Sequence, residues 1–570
     1  MTKNYSFEKS QITSDVDECW QRRTRRDHDD RHGHEVIVAW IPLIQICAGI
    51  TLLALSMLII FGGRLYGFYG IQKTVKRSLE SLAPASILIT TSRSASKKLG
   101  IGQLSDHALS CTQTCKMELV ESIPQNLTFA SHINSLSTFN AWLRLIDSAK
   151  HTLTIAAYKS SLRGKHVFGN TEQHFSHEGE AIYEALFRAG LRRQVRVRIL
   201  ENGPSKDKGD NEDAIQLKTL GAVKRRQLNL QNLYGSGVMH SKFIIADEKD
   251  FYLGSANLDW RSLNQKMEMG VLVKDCAHLA QDLNSLFELY WSLAATKNGS
   301  DAAEIIKQQK EVRYNAANLI RTRIFNSNAD VYLASSPRPM NAPGRSWDLD
   351  AIISAINAAQ TYLYIHVMDY FPLFIYSKQK RFWPAIDSAI RGAIMRGVRV
   401  KMLTAALHYP NVGMSFLESL DTLNSVPGTG RIEIKIFKVP SSPHLQSVVK
   451  RDRRTHKKFL VTDNTVIIGT SNWSGDYFAD YTTGTAIIIH QNATTVGLAA
   501  ITNRMREIFE RDWQSAYAHS LRKYVDGCLH NANAAAVPRH EGDTFVANPI
   551  LLPDYCEPAK DKSLYLKAPI

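Results

Sequence analysis

His240-Ser-Lys-Phe-Ile-Ile-Ala-Asp247 and His456-Lys-Lys-Phe-Leu-Val-Thr-Asp463 share one pattern, H-x-K-x-x-x-x-D. Each is followed by a small-residue turn ending in asparagine, Gly254-Ser-Ala-Asn257 and Gly469-Thr-Ser-Asn472. A lone H-x-K occurs on many surface strands by chance. Two full copies with the same tail at nearly the same offset point to an internal duplication.

The flanking sequence repeats as well. In the first half, Trp142 to Lys150 reads as a helix, Thr152 to Ala157 as a strand, Glu178 to Gly190 as a helix and Gln194 to Leu200 as a strand. In the second, the same order is Leu349 to Ala359, Tyr362 to Val367, Trp383 to Gly397 and Val398 to Leu403. Strands alternating with helices predict α/β halves, each a sheet covered by helices. Two like halves predict packing about a pseudo-two-fold axis, with both motifs at one shared interface.

Along a strand alternate side chains share a face, so His240 pairs with Lys242 and His456 with Lys458. One pocket would then hold two His, two Lys and the two asparagines Asn257 and Asn472. That set suits a phosphodiester. Two ammonium groups neutralise the non-bridging oxygens, and the amides add neutral donors. One imidazole attacks phosphorus; the other protonates the leaving oxygen and then deprotonates water or an alcohol. Histidine fits both roles because its unperturbed pKa is about 6.5. The scheme needs no cofactor and no metal, and no compact carboxylate or cysteine cluster near the motifs suggests one. Glu268 and Asp480 are candidates to orient one imidazole each, against the alternative of surface acids. Asp247 and Asp463 end their strands and read as structural rather than chemical members of the motif. Trp260, Trp473 and Tyr477 follow the asparagine turns, as stacking platforms for bases or as core.

The 570 residues are 44% hydrophobic and 22% charged, which predicts a largely globular chain. A net charge of +15 favours polyanionic partners, unless it is only a generically basic surface. Residues 1–35 read as a polar tail, and 36–63 contain no charged residue. That run is long enough to cross a ~30 Å hydrocarbon core, and too long and too late for a signal peptide. It is expected to be one transmembrane helix, followed by a stalk (64–110), the two halves (111–325 and 326–525) and a tail (526–570). Five arginines before the run against four Lys/Arg after it barely orient it. Acceptor tripeptides at Asn126, Asn298 and Asn492, and cysteines Cys111, Cys115, Cys276, Cys528 and Cys556, favour a type II protein with its body in an oxidising lumen. Cys111 and Cys115 look like half of a disulfide framework; a zinc site there lacks a second ligand pair.

At the duplicated motif the chain resembles the phospholipase D superfamily, and in particular its type II membrane branch of endolysosomal 5′ exonucleases. Cys111 to Pro124, Phe251 to Leu263, Tyr332 to Pro337, Arg381 to Asp387, Ile468 to Gly475 and Phe509 to Trp513 carry the likeness, which spans about residues 111 to 525. The resemblance implies two tandem α/β/α sandwich halves and metal-independent trimming of single-stranded DNA or RNA from a 5′ end. It implies passage from the endoplasmic reticulum to the endosome and lysosome. It assigns His240 as nucleophile and His456 as acid, and gives Glu268 to the first histidine. Transphosphatidylation of phospholipids is a second implied activity; a catalytically dead membrane scaffold is the reading from another class, disfavoured because every expected position is filled. Expected partners are single-stranded nucleic acid, phospholipids, the anchoring membrane and a second copy in a homodimer. The branch's tandem cysteine near Cys276 is here His278, and a partner cysteine is replaced near Ala406. Cys528 thus lacks its usual mate unless Cys556 substitutes.

Overall fold

The computed structural model describes residues 115–168, 173–205, 209–325, 327–376, 380–406, 410–442, 449, 452–491 and 500–524. The expected tail, membrane segment, stalk and C-terminal tail lie outside these residues, as do Cys111, Cys528, Cys556 and Asn492. Among the described residues no helix is long and apolar enough to cross a membrane.

Two sheets form the body. The first is built from β1 (Lys116–Ser122), β2 (Leu136–Ser137), β3 (Thr152–Ala157), β5 (Arg196–Asn202), β6 (Lys224–Leu228), β7 (Phe243–Ala246), β8 (Asp250–Gly254) and β10 (Glu268–Lys274). Two short strands, β4 (Ser160–Ser161) and β9 (Leu258–Asp259), pair only with each other. The second sheet contains β11 (Ile320–Ile324), β12 (Ser327–Ser336), β13 (Ser346–Trp347), β14 (Tyr362–Val367), β17 (Arg399–Ala405), β18 (Ile432–Phe437), β19 (Lys458–Thr462), β20 (Thr465–Gly469), β21 (Gly484–His490) and β22 (Ala518–Ser520). A two-stranded hairpin, β15 (Leu373–Phe374) and β16 (Arg381–Phe382), stands apart.

The strand orders correspond. The first sheet runs β2-β1-β10-β8-β7-β3-β5-β6; the second runs β12-β21-β20-β19-β14-β17-β18 over the matching stretch, with β13 beside β12. In both, an antiparallel half joins a parallel half at the strand before the motif: β3 pairs antiparallel with β7 and parallel with β5, and β14 does the same with β19 and β17. The second sheet starts at Ile320, ahead of the expected boundary at 325, because β11 pairs with β12 as its first edge. The lead strands β1 and β12 were not anticipated.

Helices cover the outer faces. In the first half these are α1 (Thr138–Ser148) and α2 (His177–Phe187); in the second, α4 (Asp348–Ala358) and α5 (Ala385–Met395). Ser137 starts α1 by accepting from the Asn140 amide at 3.1 Å, which satisfies an orphan donor of the first turn. The inner faces meet in one apolar core. Phe243, Ile245 and Leu253 of the first sheet pack with Phe459, Val461 and Ile468 of the second, joined by Leu283 and Phe287 of α3 (Ala277–Leu293) and Met505 and Phe509 of α8 (Ile501–Gln514). Buried on both faces, β7 and residues Phe459 to Val461 of β19 are continuous apolar runs rather than alternating ones. A disulfide joins Cys115, ahead of β1, to Cys276, at the start of α3.

Candidate active site

The motif histidines sit just before β7 and β19, on the lead-in rather than on the strand. Each lysine folds back over its own motif. Lys242 Nζ donates to the His240 carbonyl at 2.6 Å and Lys458 Nζ to the His456 carbonyl at 2.7 Å. All four side chains are buried.

Backbone contacts between the halves bring the motifs together. Met239 bridges Thr483 and Met267 bridges Thr455. The His240 amide donates to Thr483 Oγ1 at 2.9 Å, and the His456 amide to the Met267 carbonyl at 2.7 Å. Each histidine is thus held by a segment of the other half.

The cleft is a buried cationic site. Burial, then the charges of Lys242, Lys458 and His456, hold His240 well below the usual histidine range. Burial, then Lys458, Lys266, Lys242 and Arg454, does the same to His456. Burial drives Lys242 well below the ordinary ammonium value, and burial lowers Lys458 to about 7, with Glu268 and Asp369 opposing. Several groups have no hydrogen-bond partner among the described residues: the side-chain oxygens of Asn257 and Asn472 and the Nδ1 of His240. The amide oxygens only accept and do not by themselves call for an anion; the crowded cations Lys242, Lys458, Lys266 and Arg454 are what a bound anion would stabilise.

Glu268 begins β10 and lies under the second histidine. Its Oε2 is 2.7 Å from His456 Nδ1 and accepts from Ser255 Oγ at 2.5 Å. This corrects the expectation that Glu268 serves the first histidine: the halves cross over, so the acid of one meets the imidazole of the other. Burial raises the Glu268 carboxyl to about 7, against Lys458 and Lys266.

Asp480 does not reach either ring. It accepts from Ser236 Oγ and from the Tyr481 amide, the latter at 2.9 Å. It fixes the loop that leads into His240. There Tyr234 stacks on Tyr481 at 4.1 Å, and Gly237, at φ +86°, passes so close that a Cβ would lie 2.0 Å from the Tyr481 carbonyl. Asp247 and Asp463 are also outside the cleft, at the far ends of β7 and β19. Asp247 accepts from the amides of Lys150, His151 and Thr152 at 2.7, 2.8 and 2.8 Å, and Asp463 from those of Gln360 and Thr361. They tie each motif strand to the start of β3 and β14, a structural part of the motif rather than a catalytic one.

Trp260 and Trp473 are core residues. Tyr477, on α7 (Gly475–Phe478), belongs to the cleft. Its ring meets His240 at 5.0 Å, and its hydroxyl accepts from Asn472 Nδ2 at 3.1 Å. Tyr158, at the end of β3, was missed; its ring lies 5.4 Å from His240 and 5.5 Å from Lys242 Nζ. Lys266 and Arg454 were missed too. Lys266 pairs with Asp452 at 3.1 Å, and both cations act on His456. None of these three stands in the repeated pattern, so spacing carried no signal for them. Asn126 and Asn298 are exposed, and Asn298 caps a helix by accepting from the Asp301 amide at 2.9 Å.

Residues 130–442 match the family model described as "PLD3/4, PLD-like domain". Rat 5'-3' exonuclease PLD3 is 37% identical over 423 residues, 74% of this chain and 83% of that protein. Human 5'-3' exonuclease PLD3 is 36% identical over 420 residues, covering 73% and 83%. A Caenorhabditis elegans protein named "Probable phospholipase D F09G2.8" is 36% identical over 420 residues, 72% of each chain. Among solved structures, phosphatidylserine synthase of Haemophilus influenzae covers 70% of this chain and 92% of its own at 13% identity, with a TM-score of 0.48. The duplicated motif, the two matching sheets and these relatives agree: the chain belongs to the PLD3/4 family of the phospholipase D superfamily.

Proposed function

We propose that the protein is a metal-independent phosphodiesterase that removes nucleotides from the 5′ end of single-stranded DNA or RNA. The carrying observation is the pair of buried H-x-K motifs held against each other by backbone bridges between the halves. The halves are related by a pseudo-two-fold axis, which the matching strand orders support.

The roles follow from what each ring touches. His240 has no carboxylate partner among the described residues and sits among cations, so it rests neutral with a lone pair for attack. It bonds to phosphorus as a phosphohistidine while the P–O bond to the leaving nucleoside breaks. His456 delivers the proton to that oxygen, because Glu268 on its Nδ1 offsets part of the cost of carrying charge. The neutral His456 then takes a proton from water, whose oxygen displaces His240 from phosphorus. Lys242, Lys458, Asn257 and Asn472 hold the non-bridging oxygens throughout. We further propose a type II membrane protein with residues 36–63 as anchor and a lysosomal body, where acidity and the bound phosphodiester's negative charge together favour the protonated form of His456 against the pull of burial and the neighbouring cations. Phospholipid turnover by the same cleft is the competing activity.

Full-length protein in detergent, given 5′-hydroxyl single-stranded DNA and phosphatidylglycerol side by side at pH 5 and pH 7 in EDTA, tests this. Stepwise nucleotide release that is lost in His240→Ala is expected. Lipid turnover alone would transfer the assignment to the phospholipase reading.

A further inference from the structure

The β15–β16 hairpin is built onto the wall of the cleft. Leu373 pairs with Phe382 and Phe374 with Arg381. Its base is tied to the second asparagine turn: Tyr370 bridges Trp473, and the Phe371 amide donates to the Trp473 carbonyl at 2.8 Å. Asp476 of α7 accepts from the amides of Ile375 and Tyr376 at 2.8 and 3.1 Å. Phe374 lies so close to Gly475 that a Cβ there would meet its ring at 2.8 Å. Aromatic contacts then run outward from the histidine. His240 meets Tyr477 at 5.0 Å, and Tyr477 meets Tyr376 at 6.3 Å.

At the outer end the hairpin displays an apolar ring to solvent. Phe382 is 62% exposed, the most open of the large hydrophobic side chains among the described residues. It is nearly parallel to Phe416, at 14° and 6.4 Å, on α6 (Pro410–Asp421). Beside it Arg381 is exposed, its guanidinium 4.1 Å over the Phe374 ring, while the Lys380 ammonium donates to the Ile375 carbonyl. An open aromatic ring stacked on a second one, with a guanidinium alongside, offers a partner both a flat apolar face and a positive charge. Flat rings next to phosphate-binding cations match single-stranded nucleic acid, whose bases stack on aromatics while its backbone tracks positive charge.

We propose that Phe382, with Phe416 beneath it and Arg381 alongside, forms a stacking platform for bases of the strand beyond the cleaved phosphodiester. This rests on the exonuclease reading and adds a strand-length preference to it. A strand too short to reach the hairpin loses the contact; a longer one gains it.

The test compares Phe382→Ala, Phe382→Trp and Arg381→Glu in the full-length protein. The substrates are a 12-nucleotide single strand and the small diester bis(p-nitrophenyl) phosphate. Expected for Phe382→Ala is a KM on the 12-mer raised about ten-fold, with kcat and turnover of the small diester unchanged, since one stacked base is lost. Phe382→Trp restores the KM. Arg381→Glu flattens the salt dependence of the KM by about one ion. An unchanged KM in Phe382→Ala overturns the platform while leaving the exonuclease standing. So does a parallel loss on both substrates, which marks local damage, and so does loss of binding to phosphatidylglycerol vesicles with the nuclease KM intact, which assigns the ring to a membrane surface. Absence of nucleotide release by the unaltered protein overturns both readings.

Discussion

Ser241 and Lys457 hold the same place in the two copies of the motif, one residue after the histidine, and they are satisfied in opposite ways. Ser241 lies in a neutral hydroxyl cluster, 3.1 Å from Thr483 Oγ1 and 2.9 Å from Thr485 Oγ1. Lys457 is fully buried between Glu121 and Asp512, 2.7 Å from each, and Arg511 completes the cluster. The histidines differ as well. Ladder register places Gly484 at the position that Glu268 occupies in the first half, since Ser122 faces Glu268 in one sheet and Ser336 faces Gly484 in the other. One ring therefore gains a carboxylate and the other does not. The duplication preserved the strands and the paired buried lysines Lys242 and Lys458. It diverged at the two points that decide how each imidazole is protonated and what anchors the loop beneath it.

The largest effect is expected where the copies are alike. His240→Ala and His456→Ala should each lower kcat by about 10⁴-fold or more, as when members of one catalytic unit are removed. They should differ in a rapid-quench experiment with a radiolabelled strand. His456→Ala retains label on the protein if leaving-group departure still occurs, and His240→Ala retains none. Label on the His240→Ala protein would reverse the two roles.

Lys457→Ser copies the first half into the second and strands Glu121, Asp512 and Arg511 without their central cation. A loss of about 3–5 kcal/mol is expected for breaking a buried ion cluster, read by denaturant unfolding. The reciprocal neutral change Ser241→Ala should cost about 1 kcal/mol. Equal costs would show that the two anchors are equivalent after all.

Glu268→Gln keeps the shape and removes the charge from His456. A decrease in kcat of about 10²-fold is expected, with the KM nearly unchanged and the alkaline limb of the pH profile, set by loss of the His456 proton, moved to lower pH, because the imidazolium loses its stabilising partner. A change in KM alone would reduce Glu268 to a packing group.

The smallest effect is a proton count. Lys458 is lowered to about 7 by burial, and Glu268 is raised to about 7 by burial. A bound anion favours the protonated form of both, so both pKa values rise on binding and protons are taken up. Sulfate, which does not titrate in this range, should bind best below pH 7 and weaken as pH rises through 7 to 9. Calorimetry in buffers of different ionisation enthalpy measures the uptake. Glu268→Gln should remove its share and leave that of Lys458. Proton release on binding would contradict the cationic strain described for the cleft.

Much of this was legible along the chain. The repeat of helix, strand, helix, strand and motif appears as α1, β3, α2, β5 and β7, then α4, β14, α5, β17 and β19. It was legible because apolar periodicity and turn residues are local, and because a second copy tests the first. Lys266, Arg454 and Tyr158 were not legible, since the matching positions of the other half carry unrelated residue types, Thr482, Val238 and Met368. Asp480 misled for a related reason. An acid at a plausible offset looks the same in sequence whether it meets an imidazole or, as here, the Ser236 hydroxyl.

By itself the amino-acid order determined the duplicated strands, the identity of the four buried motif side chains and the family. These depend on side-chain alternation and residue type, which are written within a few positions of one another. Which carboxylate serves which histidine was decided only when the sheets packed inner face to inner face. That packing carries Glu268 of one half to His456 of the other, 188 residues away, and leaves Gly484 opposite a ring with no carboxylate partner among the described residues. Burial among like charges then lowers both motif histidines and both motif lysines below their ordinary values, and burial is a property of the assembled core rather than of any segment.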